Sequence, residues 1–259
     1  MAKTEKTDKR PIALITGGSR GLGRSMALHL AERGVDILFT YRAAAGEAAD
    51  TRERIVALGG KAAALPLDVA DSASFDAFAQ AVAGELERTF GRKQLDYLVN
   101  NAGVGLHAAF ADTTSAQLDA MYNIHFKGPY LLTQRLLPLL ADGGRILNVS
   151  TGLARFTYPG LSAYASMKGA VEVMTRYLAK ELGARKISVN TIAPGAIATD
   201  FSGGVVRDNP EMNRQIASVT ALGRVGLPDD IGAAVAMLLS PEGGWITGQR
   251  IEVSGGQNL

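Results

Sequence analysis

The sequence of 259 residues contains no cysteine. This excludes a disulfide framework, a thiolate metal site and a cysteine nucleophile, and it suits a reducing, cytoplasmic setting. A strong charge of one sign is also missing. Lys and Arg number 27 and Asp and Glu 25, for a net charge of +2, and no basic run interleaves with aromatics. A nucleic-acid partner is therefore not expected. The longest apolar run, Ile231–Leu239, is far too short to cross a bilayer, so no membrane association is expected. The opening MAKTEKTDKR lacks the apolar core of a signal peptide, and residues 1–9 read as a loose polar tail. His29, His107 and His125 are scattered without metal-ligand spacing. No Pro- or Ser-rich linker and no internal repeat divides residues 10–259, and that length fits one large α/β domain.

What is present is an alternation of short apolar runs with longer helical patterns. Strand-like runs lie at Ile12–Thr16, Val35–Tyr41, Ala62–Leu67, Leu95–Val99, Arg145–Val149, Ile187–Thr191 and Arg250–Val253. Helical spacing occupies Leu22–Arg33, Gly46–Leu58, Ser72–Phe90, Ser115–Leu140 with a bend expected at Pro129, Ala163–Leu182 and Asp229–Leu239. Strand–helix–strand repetition with nearly all-apolar strands predicts a Rossmann-type, doubly wound parallel sheet of about seven strands, covered by helices on both faces. Ala196–Arg224 shows no clear pattern and reads as a lid or binding loop.

The run Thr16-Gly17-Gly18-Ser19-Arg20-Gly21-Leu22-Gly23 joins the first strand to the first helix. Glycines there let the backbone turn sharply and approach a pyrophosphate, and the opening helix offers free N–H groups to the anion. The same run could be a plain strand–helix loop, but its place after the first strand favours a dinucleotide. Further along, Tyr164 and Lys168 lie four apart in a helical segment, which stacks them on one face. A phenol beside an ammonium can exchange a proton with a carbonyl oxygen, and the ammonium would favour phenolate. Tyr177 and Lys180 form a similar pair, so spacing alone does not settle the role.

The glycine turn, Asn100-Asn101-Ala102-Gly103, Tyr164-Ala165-Ser166-Met167-Lys168 and Pro194-Gly195 occur in one order. Together they resemble a short-chain dehydrogenase/reductase of the classical type, similar to β-ketoacyl-carrier-protein reductases, over nearly the whole chain. The resemblance implies hydride transfer between a nicotinamide and a carbonyl or secondary alcohol, with Tyr164 as acid/base and Lys168 also binding the nicotinamide ribose. It implies cofactor contacts from Gly17, Ser19, Arg20, Gly21, Leu22 and Gly23, and from Asn101, Ala102 and Gly103. Pro194, Gly195, Ile197 and Thr199 are implied at the nicotinamide. Asp68 and Val69 are implied at the adenine, although Asp68 could equally cap the next helix. Where NAD-preferring relatives carry Asp, this chain has Tyr41, followed by Arg42. With Arg20, these residues suit a 2′-phosphate, so NADP(H) is expected and NAD less so.

Two positions depart from the family pattern. Thr151 stands in place of its serine, with Ser150 beside it. The Thr151 hydroxyl can make the same bond to a substrate oxygen, and adjacent strand residues face opposite ways, so Thr151 is the expected donor. His125 falls at the family's helix asparagine, with Asn123 two residues earlier. His125 would hold a water or relay a proton, with a pKa near 6.5 if unperturbed, or it packs against a carbonyl. Phe201, Val205, Met212, Leu153, Phe156 and Tyr158 read as a pocket wall, or as core and subunit contacts. Arg155 reads as a contact for an acidic group or as solvated surface. The resemblance of Trp245-Ile246-Thr247-Gly248 and Ser254-Gly255-Gly256 to the family's subunit-joining region implies a homotetramer. The competing readings are a 3-oxoacyl-carrier-protein reductase and a non-catalytic NADP-binding regulator.

Overall fold

The computed structural model describes residues 10–259; the polar tail expected at 1–9 lies outside the described residues. The apolar runs form strands because both of their faces are covered. The strands are β1 (Ile12–Ile15), β2 (Asp36–Tyr41), β3 (Ala62–Pro66), β4 (Leu95–Asn100), β5 (Leu140–Val149), β6 (Ser188–Pro194) and β7 (Arg250–Val253). All pair in parallel, in the order β3-β2-β1-β4-β5-β6-β7. The helices are α1 (Gly21–Glu32), α2 (Ala45–Ala57), α3 (Phe75–Glu85), α4 (Ser115–Tyr122), α5 (Gly128–Leu136), α6 (Ser162–Glu181), α7 (Val205–Asp208), α8 (Pro210–Ser218) and α9 (Pro228–Leu238).

Successive strand residues point to opposite faces, and the side chains sort accordingly. Ala13, Ile15, Ile37 and Phe39 join Met26 and Leu30 of α1, Ile55 of α2 and Val235 of α9 in one core. Ile12, Leu14, Leu38 and Ile146 join Phe75 and Val82 of α3, Leu132 of α5 and Leu182 in the other. This is the expected doubly wound fold. The chain winds outward from β1 to β3 and then returns to the centre at β4, beside β1. That reversal opens a crevice beyond the carboxyl ends of β1 and β4, where ligands of such sheets bind.

Three expectations about elements need correction. The helical stretch from Ser115 is interrupted just ahead of Pro129 rather than at it. It widens into a π turn at Asn123–Lys127, between α4 and α5. Pro129 has no N–H for the carbonyl of His125, so the regular ladder fails one turn before the proline. Leu140 is no longer helical: β5 starts there, with a register irregularity between Leu95 and Tyr97 on its neighbour. The segment Ala196–Arg224 is not patternless, because it carries α7 and α8. Asn209 caps α8 by accepting from the N–H groups of Glu211 and Met212, both at 3.0 Å, with Pro210 following.

Candidate active site

The glycine turn and the end of β4 are bolted together. Asn101 donates through Nδ2 to the carbonyls of Thr16 at 2.8 Å and Gly17 at 3.2 Å. The backbone N–H groups of Asn101 and Ala102 both donate to Thr16 Oγ1, at 2.9 and 3.0 Å. Gly17 has φ of +67°, which favours glycine. A Cβ on Gly23 would lie 2.1 Å from the Gly17 carbonyl oxygen, so only glycine lets α1 sit this close to the turn. Arg20 precedes α1 in extended conformation and its side chain makes no cap bond. The first-turn N–H groups of α1, from Gly21, Leu22 and Gly23, therefore face the crevice without a side-chain acceptor. Backbone this close, with an uncapped helix start, fits a pyrophosphate-bearing dinucleotide.

Other expected cofactor residues flank this turn. Ser19 is buried; its carbonyl accepts from Arg24 Nε at 2.9 Å and from Thr51 Oγ1 at 3.0 Å. Arg24 and Thr51, which hold the turn from behind, carried no sequence motif. Gly17 N–H donates to Thr40 Oγ1 at 3.1 Å, so the end of β2 abuts the turn. Tyr41 is half-buried there, and Arg42 and Arg20 are exposed. Neither arginine pairs with a carboxylate among the described residues. The Asp68 carboxylate accepts from Ala70 N–H at 2.9 Å, and the cap of the following helical turn is Asp71. Val69 packs on α5, where a Cβ on Gly128 would lie 2.2 Å from its carbonyl.

Tyr164 sits in the first turn of α6, with Lys168 one turn on, and both are buried. Lys168 Nζ donates to the Val149 carbonyl at 2.7 Å and lies 5.8 Å from the centre of the Tyr164 ring. Burial pushes the Lys168 ammonium down to about 8, so most of it stays charged at neutral pH. Burial pushes the Tyr164 phenol up to about 12, with hydrogen bonding to Thr151 pulling partly the other way. Desolvation outweighs the Thr151 hydrogen bond, and the phenol stays protonated at neutral pH. Thr151 follows β5 and caps the short turn Gly152–Ala154, its Oγ1 accepting from Leu153 N–H at 3.3 Å. Ser150 faces away, donating to Glu172 Oε1 at 2.6 Å.

His125, in the π turn, is 1% exposed and sets its ring edge-on to Tyr164 at 5.0 Å and 89°. Its Nε2 bonds the Val104 carbonyl at 2.8 Å, which fixes the proton on Nε2. Its Nδ1 is buried and has no hydrogen-bond partner among the described residues. Burial, and then Lys168, drive its pKa down to about 3. A charged relay titrating near 6.5 is therefore replaced by a neutral ring packed against a carbonyl. Gly103 makes room for it: a Cβ there would come within 2.8 Å of His125 Cε1. His29 bonds the Ser25 carbonyl at 3.0 Å and is structural. His107 covers Gly160 at the surface.

After β6, the turn Pro194–Thr199 faces the crevice. Ala196 N–H donates to Gln257 Oε1 at 2.9 Å and Ala198 N–H to the Gly226 carbonyl at 2.9 Å. Thr199 Oγ1 accepts from Phe201 N–H at 3.2 Å. Phe201, 43% exposed, brings its ring to 6.0 Å from Tyr164. A cavity of about 260 Å³ opens beside the glycine turn, lined by Gly21, Arg24, Arg54, Thr199, Asp200 and Arg207. Arg155 binds Glu252 through two nitrogens, each at 2.7 Å. No His/Asp/Glu metal cluster and no helix long and apolar enough to cross a membrane occurs among the described residues.

Residues 17–258 match the family profile described as "Enoyl-(Acyl carrier protein) reductase". The chain is 34% identical over 257 residues to tetrahydroxynaphthalene reductase PfmaG of Pestalotiopsis fici, covering 95% of this chain and 90% of that one. Among solved structures, the promiscuous reductase LugOII, which catalyses keto-reduction at C1 during lugdunomycin biosynthesis, superposes with a TM-score of 0.91 at 37% identity, covering 96% and 98% of the two chains. The angucycline C-6 ketoreductase LanV with bound NADP superposes with a TM-score of 0.91 at 35% identity, covering 96% and 95%. The parallel sheet is thus that of a known lineage, and the chain belongs to the short-chain dehydrogenase/reductase family, as an oxidoreductase of carbonyl compounds.

Proposed function

We propose that the chain is an NADPH-dependent ketoreductase for planar, fused-ring aromatic ketones. The observation that carries this reading is the buried convergence of Tyr164, Lys168 and Thr151, with Lys168 Nζ 5.8 Å from the centre of the Tyr164 ring and the Phe201 ring 6.0 Å from it. When bound, the dinucleotide supplies a hydride to the carbonyl carbon. Tyr164 delivers its proton to the carbonyl oxygen, and Thr151 donates a hydrogen bond to the same oxygen. Lys168 stabilises the phenolate left behind, which regains a proton from solvent. His125 acts as a neutral support for the Tyr164 ring, with its Nδ1 lone pair available to a water.

Gly17, Ser19, Gly21, Leu22, Gly23, Asn101, Ala102 and Gly103 would hold the dinucleotide's phosphates and ribose, and Asp68 and Val69 its adenine. Gly195, Ile197 and Thr199 would orient its carboxamide. Preference for the 2′-phosphate is supported by unpaired Arg20 and Arg42 and by the lack of a carboxylate at Tyr41. A planar substrate is supported by Phe201 beside Tyr164, and by relatives that include a tetrahydroxynaphthalene reductase and the angucycline C-6 ketoreductase LanV, the latter also solved with bound NADP and rabelomycin. Residues 196–224 form the wall on the substrate side. A homotetramer is supported by exposed Tyr122, Tyr130, Val173 and Tyr177 on α4–α6 and by Trp245, 99% exposed; sedimentation velocity checks it. The reading places the enzyme in the cytoplasm.

A dinucleotide-oxidation assay tests the proposal. Fused-ring aromatic ketones should give kcat/KM at least about tenfold above aliphatic ketones and β-ketoacyl thioesters, with NADPH favoured over NADH. Best turnover on acyl thioesters, or a clear NADH preference, overturns it.

A further inference from the structure

A cluster of four charges behind Thr151 serves none of the roles above. Arg155 lies in the loop that follows Thr151. Its Nε and Nη2 each reach Glu252 at 2.7 Å, its Nη2 also donates to the Gln257 carbonyl at 2.7 Å, and its Nη1 donates to the Asn258 carbonyl at 3.1 Å. Arg250 continues the cluster, donating to Glu172 at 2.8 Å, to Glu252 at 2.9 Å and to the Thr151 carbonyl at 3.1 Å. Glu172 also accepts from Ser150 at 2.6 Å. Arg155 beside Glu252 holds that carboxyl down to about 2, so the pair is fully ionised at neutral pH.

The strip Gly255–Asn258 that Arg155 grips is itself stitched to two walls of the site. Gln257 Oε1 accepts from Ala196 N–H in the turn after β6. A Cβ on Gly195 would lie 2.8 Å from that Oε1 and 2.9 Å from Ser254 Cα, so strip and turn are in direct contact. On its other edge the strip accepts from Ala221 N–H at 3.2 Å and Leu222 N–H at 3.0 Å, and Asn258 N–H donates to the Val219 carbonyl at 2.8 Å. One guanidinium fork therefore ties together the Thr151 loop, the turn carrying Ile197 and Thr199, and the end of the substrate wall.

We propose that Arg155 is a positioning residue, clamping the strip Gly255–Asn258 so that Gln257 fixes the Gly195–Thr199 turn at a set distance from the Thr151 hydroxyl. Its partners are Glu252, Gln257 and Asn258, and its effect on the reaction runs through the strip they anchor. The fork geometry is essential, because a lysine offers one point charge where four bonds are made. Misplacement of reacting groups by about an ångström costs rate far more than affinity. The catalytic consequence rests on the ketoreductase reading; the mechanical one does not.

The test combines kinetics with hydrogen exchange on the dinucleotide-free protein. R155A should lower kcat about tenfold while the NADPH dissociation constant moves less than about threefold. R155K should not restore kcat. Exchange at Ala196, Ala221 and Leu222 should quicken at least about tenfold in R155A, with distant β1 and β4 amides unchanged. Q257A, which removes only the acceptor for Ala196, should reproduce the kcat loss, and R155A/Q257A should fall no further than the worse single variant. Unchanged kcat with unchanged exchange, or additive losses in the double variant, overturns the clamp. If R155A does not fold, Q257A decides by the same two readouts. If the wild type reduces no ketone, the functional reading fails, and the exchange arm still decides the clamp.

Discussion

Burial acts on three titratable side chains around one point, and each is pushed toward its neutral form: Tyr164 up to about 12, Lys168 down to about 8, His125 down to about 3. For Tyr164 this favours the acid needed for ketone reduction. His125 has a stability consequence. Unfolded, it takes up a proton as pH falls below about 6.5; folded, it stays neutral to about 3. Its depressed pKa therefore contributes stability above 6.5 that is lost as pH falls through that window, at up to about 1.4 kcal/mol per pH unit. Between pH 7 and pH 5, urea unfolding of the wild type should lose about 2 kcal/mol more than that of H125N. Equal losses would mean the histidine is charged in the folded protein. The shared helix face of Tyr164 and Lys168 and the opposed facing of Ser150 and Thr151 were legible because helical spacing and strand alternation are local rules. The state of His125 was not, since it depends on the Val104 carbonyl and on burial by elements distant in sequence.

At the scale of elements, the end of β4 serves the glycine turn before it serves any ligand. Asn101 donates to two carbonyls of the glycine turn. N101A should lower unfolding free energy by about 1–3 kcal/mol, as expected when buried acceptors lose their donor. It should also weaken NADPH binding, read by fluorescence titration; retained stability with intact binding would show that the turn holds itself. Most strands and helices could be read from periodicity. The π turn before α5 was displaced from its cause, because a proline removes the bond made to a residue four earlier. The Asn209-Pro210 start of α8 was readable as a cap and a first-turn proline, yet the polar composition around it masked the helix. Arg250 and Glu252, two apart on β7, share one face. Their pairing with Arg155 and Glu172 joins positions 78 and 97 residues apart, which no local pattern encodes.

Across the whole molecule, two cores fix the sheet, and the reversal between β1 and β4 fixes where the crevice lies. Everything chemical gathers at that end: the uncapped start of α1, the Tyr164 turn of α6 and the turn after β6. The account stands on the Tyr164 phenol as proton donor to the ketone. Single-turnover oxidation of bound NADPH by a fused-ring ketone in Y164F measures this most directly. Hydride transfer should fall about a thousandfold, with the NADPH dissociation constant within about threefold of the wild type. Transfer at close to the wild-type rate in Y164F would contradict it.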